Sequence, residues 1–368
     1  MLKKMTLKNF RCFKTLELSD LKSINVIIGA NGSGKTVLLE SLLLGLKGHP
    51  NAAMTSNVLR GIQTFLISPG LPVIMQPLRS VFESMWDHFF YQGNKELKAK
   101  ISFEDSERVS YQVEMRFATE NKLPMRQIQN IQTSAAPFVF QRSKGKNKGD
   151  MKKNQEVIYS FPDNNNQQQF QGPTGEFGPT TYFFGTMPIY NEQDNVYWFS
   201  NLKIKEPKLT EELQDVLRKA FPQIKDLVVL NPYGTASIWA NLHSGSTRQL
   251  SLVSAGIHKF LTLILACVTL KNGVILIDEI ENGIYYSKHE VLWEALLTMS
   301  KKNGNQIFAT THSRESLLAL GNVIKRNNDA NSFRMLRTKQ NDDGCMITQL
   351  TGVSAVDAIT ADVELRGP

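Results

Sequence analysis

Between Ile27 and Thr36 the run "IIGANGSGKT" places glycines at 29, 32 and 34 just before Lys35 and Thr36, the Walker A spacing G-x-x-x-x-G-K-[ST]. Glycine is needed in such a loop because backbone N–H groups must turn inward around an anion, an approach that a Cβ obstructs. Asn31, Gly32, Ser33, Gly34, Lys35 and Thr36 are therefore candidates for holding the phosphates of a nucleotide, a motif that by itself does not separate kinases, GTPases and motors. The Lys35 ammonium supplies a point charge to the terminal phosphates, and the Thr36 hydroxyl suits Mg2+.

Three later stretches carry further chemistry. In "GVILIDEIENG" an apolar run ends in Asp278 and Glu279. A carboxylate at a strand end can serve Mg2+, and the glutamate beside it can polarise an attacking water. In "IFATTHSRES" a polar cluster ending in His312 follows a buried strand, where an imidazole can reach a γ-phosphate or its attacking water. The remaining histidines, His49, His88, His243, His258 and His289, read as structural. Ser254 and Gly256 open the apolar segment "SAGIHKFLTLILACVTL". A hydroxyl and free N–H groups at a helix start can meet an anion, and an ordinary serine cap has the same sequence.

These residues need elements to position them. "KKMTLKNF" and "KTLELSD" alternate as half-buried strands, "INVII" reads as a buried strand, and "VLLESLLLGL" has helical spacing after the glycine loop. From about residue 83 the pattern changes to period-two alternation in "AKISFEDSERVSYQVEMRFATE", followed by a polar, glycine-rich stretch. From about Leu209 it becomes orderly again. "TEELQDVLRKAF" is a helix, "DLVVL" and "ASIWANL" strands, "GVILID" a buried strand, "KHEVLWEALLTMS" an amphipathic helix and "QIFATTH" another buried strand. Strand–helix alternation of this kind predicts an α/β fold, a mostly parallel sheet covered by helices with an antiparallel β portion. The expected division is residues 1–82 and 206–368 as two halves of one head. Between them, 83–205 is expected as an inserted subdomain with a flexible polar and basic loop at 141–180.

Composition bounds the rest. The 368 residues are 41% hydrophobic and 21% charged, the balance of a globular chain. The opening "MLKKMTLKNF" lacks the apolar core of a secretory signal, and the run Phe260–Leu270 is far shorter than the ~20 residues of a membrane span. A cytoplasmic protein without a membrane partner is expected. Cys12, Cys267 and Cys345 have no metal-ligand spacing and read as reduced structural thiols. A net charge of +8 permits nucleic acid as a partner without requiring it. Between Arg142 and Lys153 stand six basic residues and one acidic one, a solvated loop or a nucleic-acid patch.

Walker A, Ser-x-Gly, Asp-Glu and a later histidine occur here in the order of an ABC-type ATPase head. The opening "MTLKNFRCFKTLELSDLKSINVIIGANGSGKT" resembles the SMC, RecF and OLD branch. "LIDEIENG" and "ATTHSRES" are similar to stand-alone AAA-type proteins related to OLD nucleases, many of them in prokaryotic antiviral systems. The resemblance covers roughly the first 80 and last 160 residues.

The resemblance implies a role for each matching position. Lys35 and Thr36 would bind phosphate and Mg2+, Asp278 would serve the metal, Glu279 would be the general base and His312 the switch residue. Ser254 and Gly256 would act on the nucleotide of a second subunit. Arg11, in "NFRCF", stands where relatives place an arginine near the nucleotide, and Gln76, in "IMQPLR", is either a Mg2+-sensing glutamine or a surface residue. The signature "VSAGI" lacks a second glycine, and Tyr285 and Tyr286 stand where relatives often have a histidine.

The implied function is a dimeric or higher-order ATP-hydrolysing switch acting on a separately encoded effector, a nuclease or toxin, in antiviral defence. A RecF-like DNA-repair ATPase and a low-turnover nucleotide-binding adaptor are the alternatives. OLD nucleases add a Toprim domain. Here one helix and two strands are expected after His312, and Asp357, Asp362 and Glu364 have no fold to position them.

Overall fold

The computed structural model describes residues 1–49, 52, 86–117, 138–146, 155–160, 169–171, 177–185, 192–232 and 234–361. Its centre is a six-stranded sheet of β3 (Ile24–Ile28), β9 (Thr181–Phe184), β13 (Val274–Ile277), β14 (Gln306–Thr310), β15 (Phe333–Asn341) and β16 (Gly344–Thr351). The order is β16-β15-β3-β14-β13-β9, parallel except for the β15–β16 hairpin. Strands β3, β13 and β14 are buried at every position, which explains their unbroken apolar runs.

Alternate residues of these strands enter different cores. Ile24, Val26 and Ile28 face one, together with Ile275, Ile277, Ile307 and Ala309. Ile27, Leu276, Phe308 and Leu336 face the other. The first core is closed by helices α2 (Glu192–Lys205), α3 (Pro207–Ala220), α4 (Ala255–Thr269), α5 (His289–Asn303), α6 (Arg314–Arg326) and α7 (Gly352–Thr360). A small sheet, β10 (Ile224–Leu230), β11 (Ser237–Leu242) and β12 (Thr247–Gln249), borders this layer.

The second core lies under α1 (Lys35–Lys47), whose leucines are buried around the whole helix because it runs between two sheets. The second sheet is antiparallel, in the order β2-β1-β4-β5-β6-β7-β8. Its strands are β1 (Leu2–Phe10), β2 (Phe13–Leu18), β4 (Ala99–Asp105), β5 (Ser110–Phe117), β6 (Phe138–Gly145), β7 (Gln155–Ser160) and β8 (Gln169–Gln171). The chain is thus α/β, with both the parallel and the antiparallel parts that the patterning implies.

Strand pairing crosses the boundary expected at residue 83. β4 hydrogen-bonds directly to β1, with Met5 opposite Phe103 and Leu7 opposite Ile101. β9 forms the far edge of the parallel sheet beside β13, and α2 packs on α4. Within 141–180, expected as a loop, β7 and β8 continue the sheet. Arg142 of the basic run is buried. Its guanidinium donates to the Gly48 carbonyl at the end of α1, 3.3 Å away, and lies over the Phe177 ring. The chain after His312 holds a second helix, α7, capped by the Thr351 hydroxyl and packed through Ile359 against Gly321 of α6. Among the described residues no helix is long and apolar enough to cross a membrane.

Candidate nucleotide site

The glycine loop links β3 to α1. Gly29 and Gly34 have φ of +146° and +98°, conformations that favour glycine. At Gly34 a Cβ would also sit about 3 Å from the thiols of both Cys12 and Cys345. Those cysteines, distant in sequence, meet beneath the loop, where the Cys345 amide donates to the Cys12 carbonyl at 2.8 Å. Ser33 is buried and ties the loop to β15: its hydroxyl lies 2.5 Å from that of Thr338, which also donates to the Ile28 carbonyl. Asn31 and Gly32 are exposed at the loop tip. Lys35 opens α1, and its Nζ donates to the carbonyls of Gly29 at 2.9 Å and Ala30 at 2.8 Å. Burial pushes the Lys35 ammonium below its ordinary pKa, against the attraction of Asp278, Glu279 and Glu281.

Asp278 lies immediately past β13, where Thr36 and Thr310 both reach it. Thr36 Oγ1 donates to Asp278 Oδ2 at 3.0 Å and Thr310 Oγ1 to Oδ1 at 2.6 Å. The Thr310 hydroxyl also accepts from the Glu279 amide at 2.7 Å. Glu279 has φ of +47°, uncommon for a residue with a side chain, and its Oε1 lies 3.4 Å from His312 Nε2. Glu281 accepts from the amides of His312 at 2.6 Å and Ser313 at 3.0 Å, so the loop after β13 is tied to the loop after β14. The ends of three adjacent parallel strands therefore bring Lys35, Thr36, Asp278, Glu279 and His312 together. A crevice outside the carboxyl ends of such strands is where open α/β sheets bind ligands.

The other candidates are placed differently. Ser254 caps α4, its hydroxyl accepting from the Gly256 amide at 3.2 Å. A Cβ at Gly256 would run into the Gly283 carbonyl, so glycine is needed there for close approach of the loop after Glu279. Arg11 lies against α1, its Nε 3.2 Å from Glu40 Oε2 and its guanidinium over the Phe89 ring. Gln76 lies outside the described residues. Thr310, Lys259 and Glu281 are parts of the site not singled out in the sequence. The threonine is part of the polar cluster that ends in His312, and the lysine follows His258 in a helix that is apolar along most of its length.

Residues 4–230 match the family model AAA_23, described as an AAA domain. The chain belongs to that family. A Helicobacter pylori protein called ATP/GTP phosphatase is 25% identical over 369 residues, covering 93% of this chain and 93% of that protein. The DNA double-strand break repair Rad50 ATPase of Nanoarchaeum equitans is 39% identical over 66 residues, 18% of this chain and 8% of that protein. An SMC head solved bound to the C-winged helix domain of ScpA shares the fold. It has a TM-score of 0.50 and 13% identity, and the match covers 95% of this chain and 97% of that one. This AAA-family chain is thus an ATPase that shares the fold of an SMC head.

Proposed function

We propose that this head is an ATP-driven dimeric switch that controls a separately encoded effector, a nuclease or toxin, in prokaryotic antiviral defence. The observation that carries the reading is the continuous series Thr36–Asp278–Thr310–Glu279–His312, which joins a phosphate loop to a carboxylate placed for water activation. In this reading the loop amides of residues 31–34 and the Lys35 ammonium hold the ATP phosphates. Glu279 takes the proton of the attacking water, and His312 orients Glu279 and senses the terminal phosphate. The Thr36 hydroxyl and Asp278 carboxylate, 3.0 Å apart, are hard oxygen donors of the kind that fits Mg2+, an ion that keeps most of its shell as water and phosphate oxygens. When bound, Mg2+ neutralises charge on the β- and γ-phosphates.

Dimer formation has its own support. Leu252, in the turn before Ser254, is 80% exposed, and Tyr285 and Tyr286 are 66% and 58% exposed. Gly256 and Gly283 lie in close contact, four residues after Leu252 and two before Tyr285, and in this reading the exposed apolar side chains near that contact meet a second copy. Ser254 and Gly256 would then act on the partner's nucleotide. The defence role rests on the likeness of "LIDEIENG" and "ATTHSRES" to OLD-related proteins. Co-expression with the neighbouring genes tests it: a co-purifying effector whose toxicity depends on Lys35 is expected, and an effector indifferent to Lys35→Ala contradicts it.

One observation favours a DNA-binding alternative. On the face of the antiparallel sheet turned away from its core, Lys8 stands directly opposite Lys100, which has Glu114 opposite it on β5, and in this reading the two lysines face an anionic backbone. Steeply salt-dependent duplex binding, weakened by Lys8→Glu, would support that reading over effector control.

A further inference from the structure

Helix α4 is apolar along most of its length, yet Lys259, one turn beyond the Ser254 cap, is only 4% exposed. Packing does not call for a cation here, because a methionine would fill similar space without desolvating a charge. What the ammonium meets is specific: Nζ donates to the Glu279 carbonyl at 2.8 Å and to the Asn282 carbonyl at 2.9 Å. The charged groups facing it are the carboxylates of Asp278, Glu279 and Glu281.

The peptide units of Glu279 are thus held at both ends. Thr310 Oγ1 receives the amide at 2.7 Å and Lys259 takes the carbonyl. Between these two holds the residue keeps φ of +47°, a conformation that a glutamate retains only where its surroundings fix it. That backbone directs the side chain toward His312, 3.4 Å away. The same loop leans on α4 a second time, where the Gly283 carbonyl fills the space beside Gly256.

We propose that Lys259 is a positioning residue for Glu279: it locks the backbone that aims the glutamate and makes the start of α4 and the catalytic loop move as one piece. The inference rests on the reading of Glu279 as the group that activates water. If Ser254 engages a partner's nucleotide, a shift of α4 reaches the head's own base through this lysine. Each site of a dimer would then register the occupancy of the other.

The test is steady-state hydrolysis and equilibrium nucleotide binding by the full chain, as wild type, Lys259→Met, Glu279→Gln and the double variant. A positioning role predicts that Lys259→Met leaves nucleotide affinity within about threefold, lowers kcat by about tenfold or more, and lowers turnover less than about twofold on the Glu279→Gln background. Lys259→Gln, which keeps a donor for the same carbonyls, should fall between wild type and the methionine variant in kcat, and it replaces that variant if it fails to fold. Unchanged kcat, loss shared equally by affinity and kcat, or full multiplication of the two single losses would overturn the inference. Wild-type turnover by Glu279→Gln alone would instead remove the reading beneath it.

Discussion

Thr36 and Asp278 lie 242 positions apart in the chain, yet Thr36 Oγ1 donates to Asp278 Oδ2 at 3.0 Å. The contact joins the first turn of α1, which follows β3, to the end of β13, and β14 lies between those two strands in the sheet order. Its partner contact is made by Thr310, which holds Asp278 Oδ1 and the Glu279 amide together.

Replacing Thr310 by valine keeps the volume and removes both bonds. A buried carboxylate oxygen and a backbone amide then lose their partner, at about 2–4 kcal/mol of unfolding free energy. Urea denaturation should show that loss, accompanied by at least a tenfold fall in turnover through Glu279. A Thr310→Val protein as stable and active as wild type would show that the hydroxyl organises nothing.

Composite sites predict complementation. Lys35→Ala and Ser254→Arg proteins should each be inactive alone. In an equal mixture about half of the dimers are mixed, and each keeps one intact site of two, so about a quarter of wild-type turnover should return. A mixture as inactive as its components means that the sites are not shared.

Lys259 also makes stability pH-dependent. Burial holds its ammonium down to about 8, against the pull of Glu281, Glu279 and Asp278. In the unfolded chain a lysine titrates near 10.4, so between those values the unfolded state binds more protons and stability rises with pH. Relative to Lys259→Met, nucleotide-free wild type should gain up to about 3 kcal/mol between pH 8 and 10.5. Denaturant titrations across that range measure it, and a constant difference would show that Lys259 is not desolvated in solution.

Much of this site could be read in the sequence because its parts are local. Glycines with positive φ before Lys35, a buried run ending at Asp278 and another ending before His312 each announce themselves within about ten residues. What joins them could not be read so. Alternation identifies β1 and β4 as strands but does not say that they pair, since register depends on the core between β4 and α1. Cys12 and Cys345 meet only through the β15–β16 hairpin, and Lys259 finds the Glu279 carbonyl only once α4 lies along the loop. The helix Gly352–Thr360 spans nine residues, too few for a clear amphipathic period, and gains its stability from α6.

The most direct test is the behaviour of Glu279→Gln with ATP, measured as bound nucleotide, turnover and sedimentation in one preparation, with Lys35→Ala as the reference that should bind at least about 30-fold more weakly. The account predicts that Glu279→Gln binds ATP as wild type does, turns it over at least a hundredfold more slowly, and sediments as an ATP-loaded dimer. Wild-type turnover, or monomers alone with ATP bound, would contradict it.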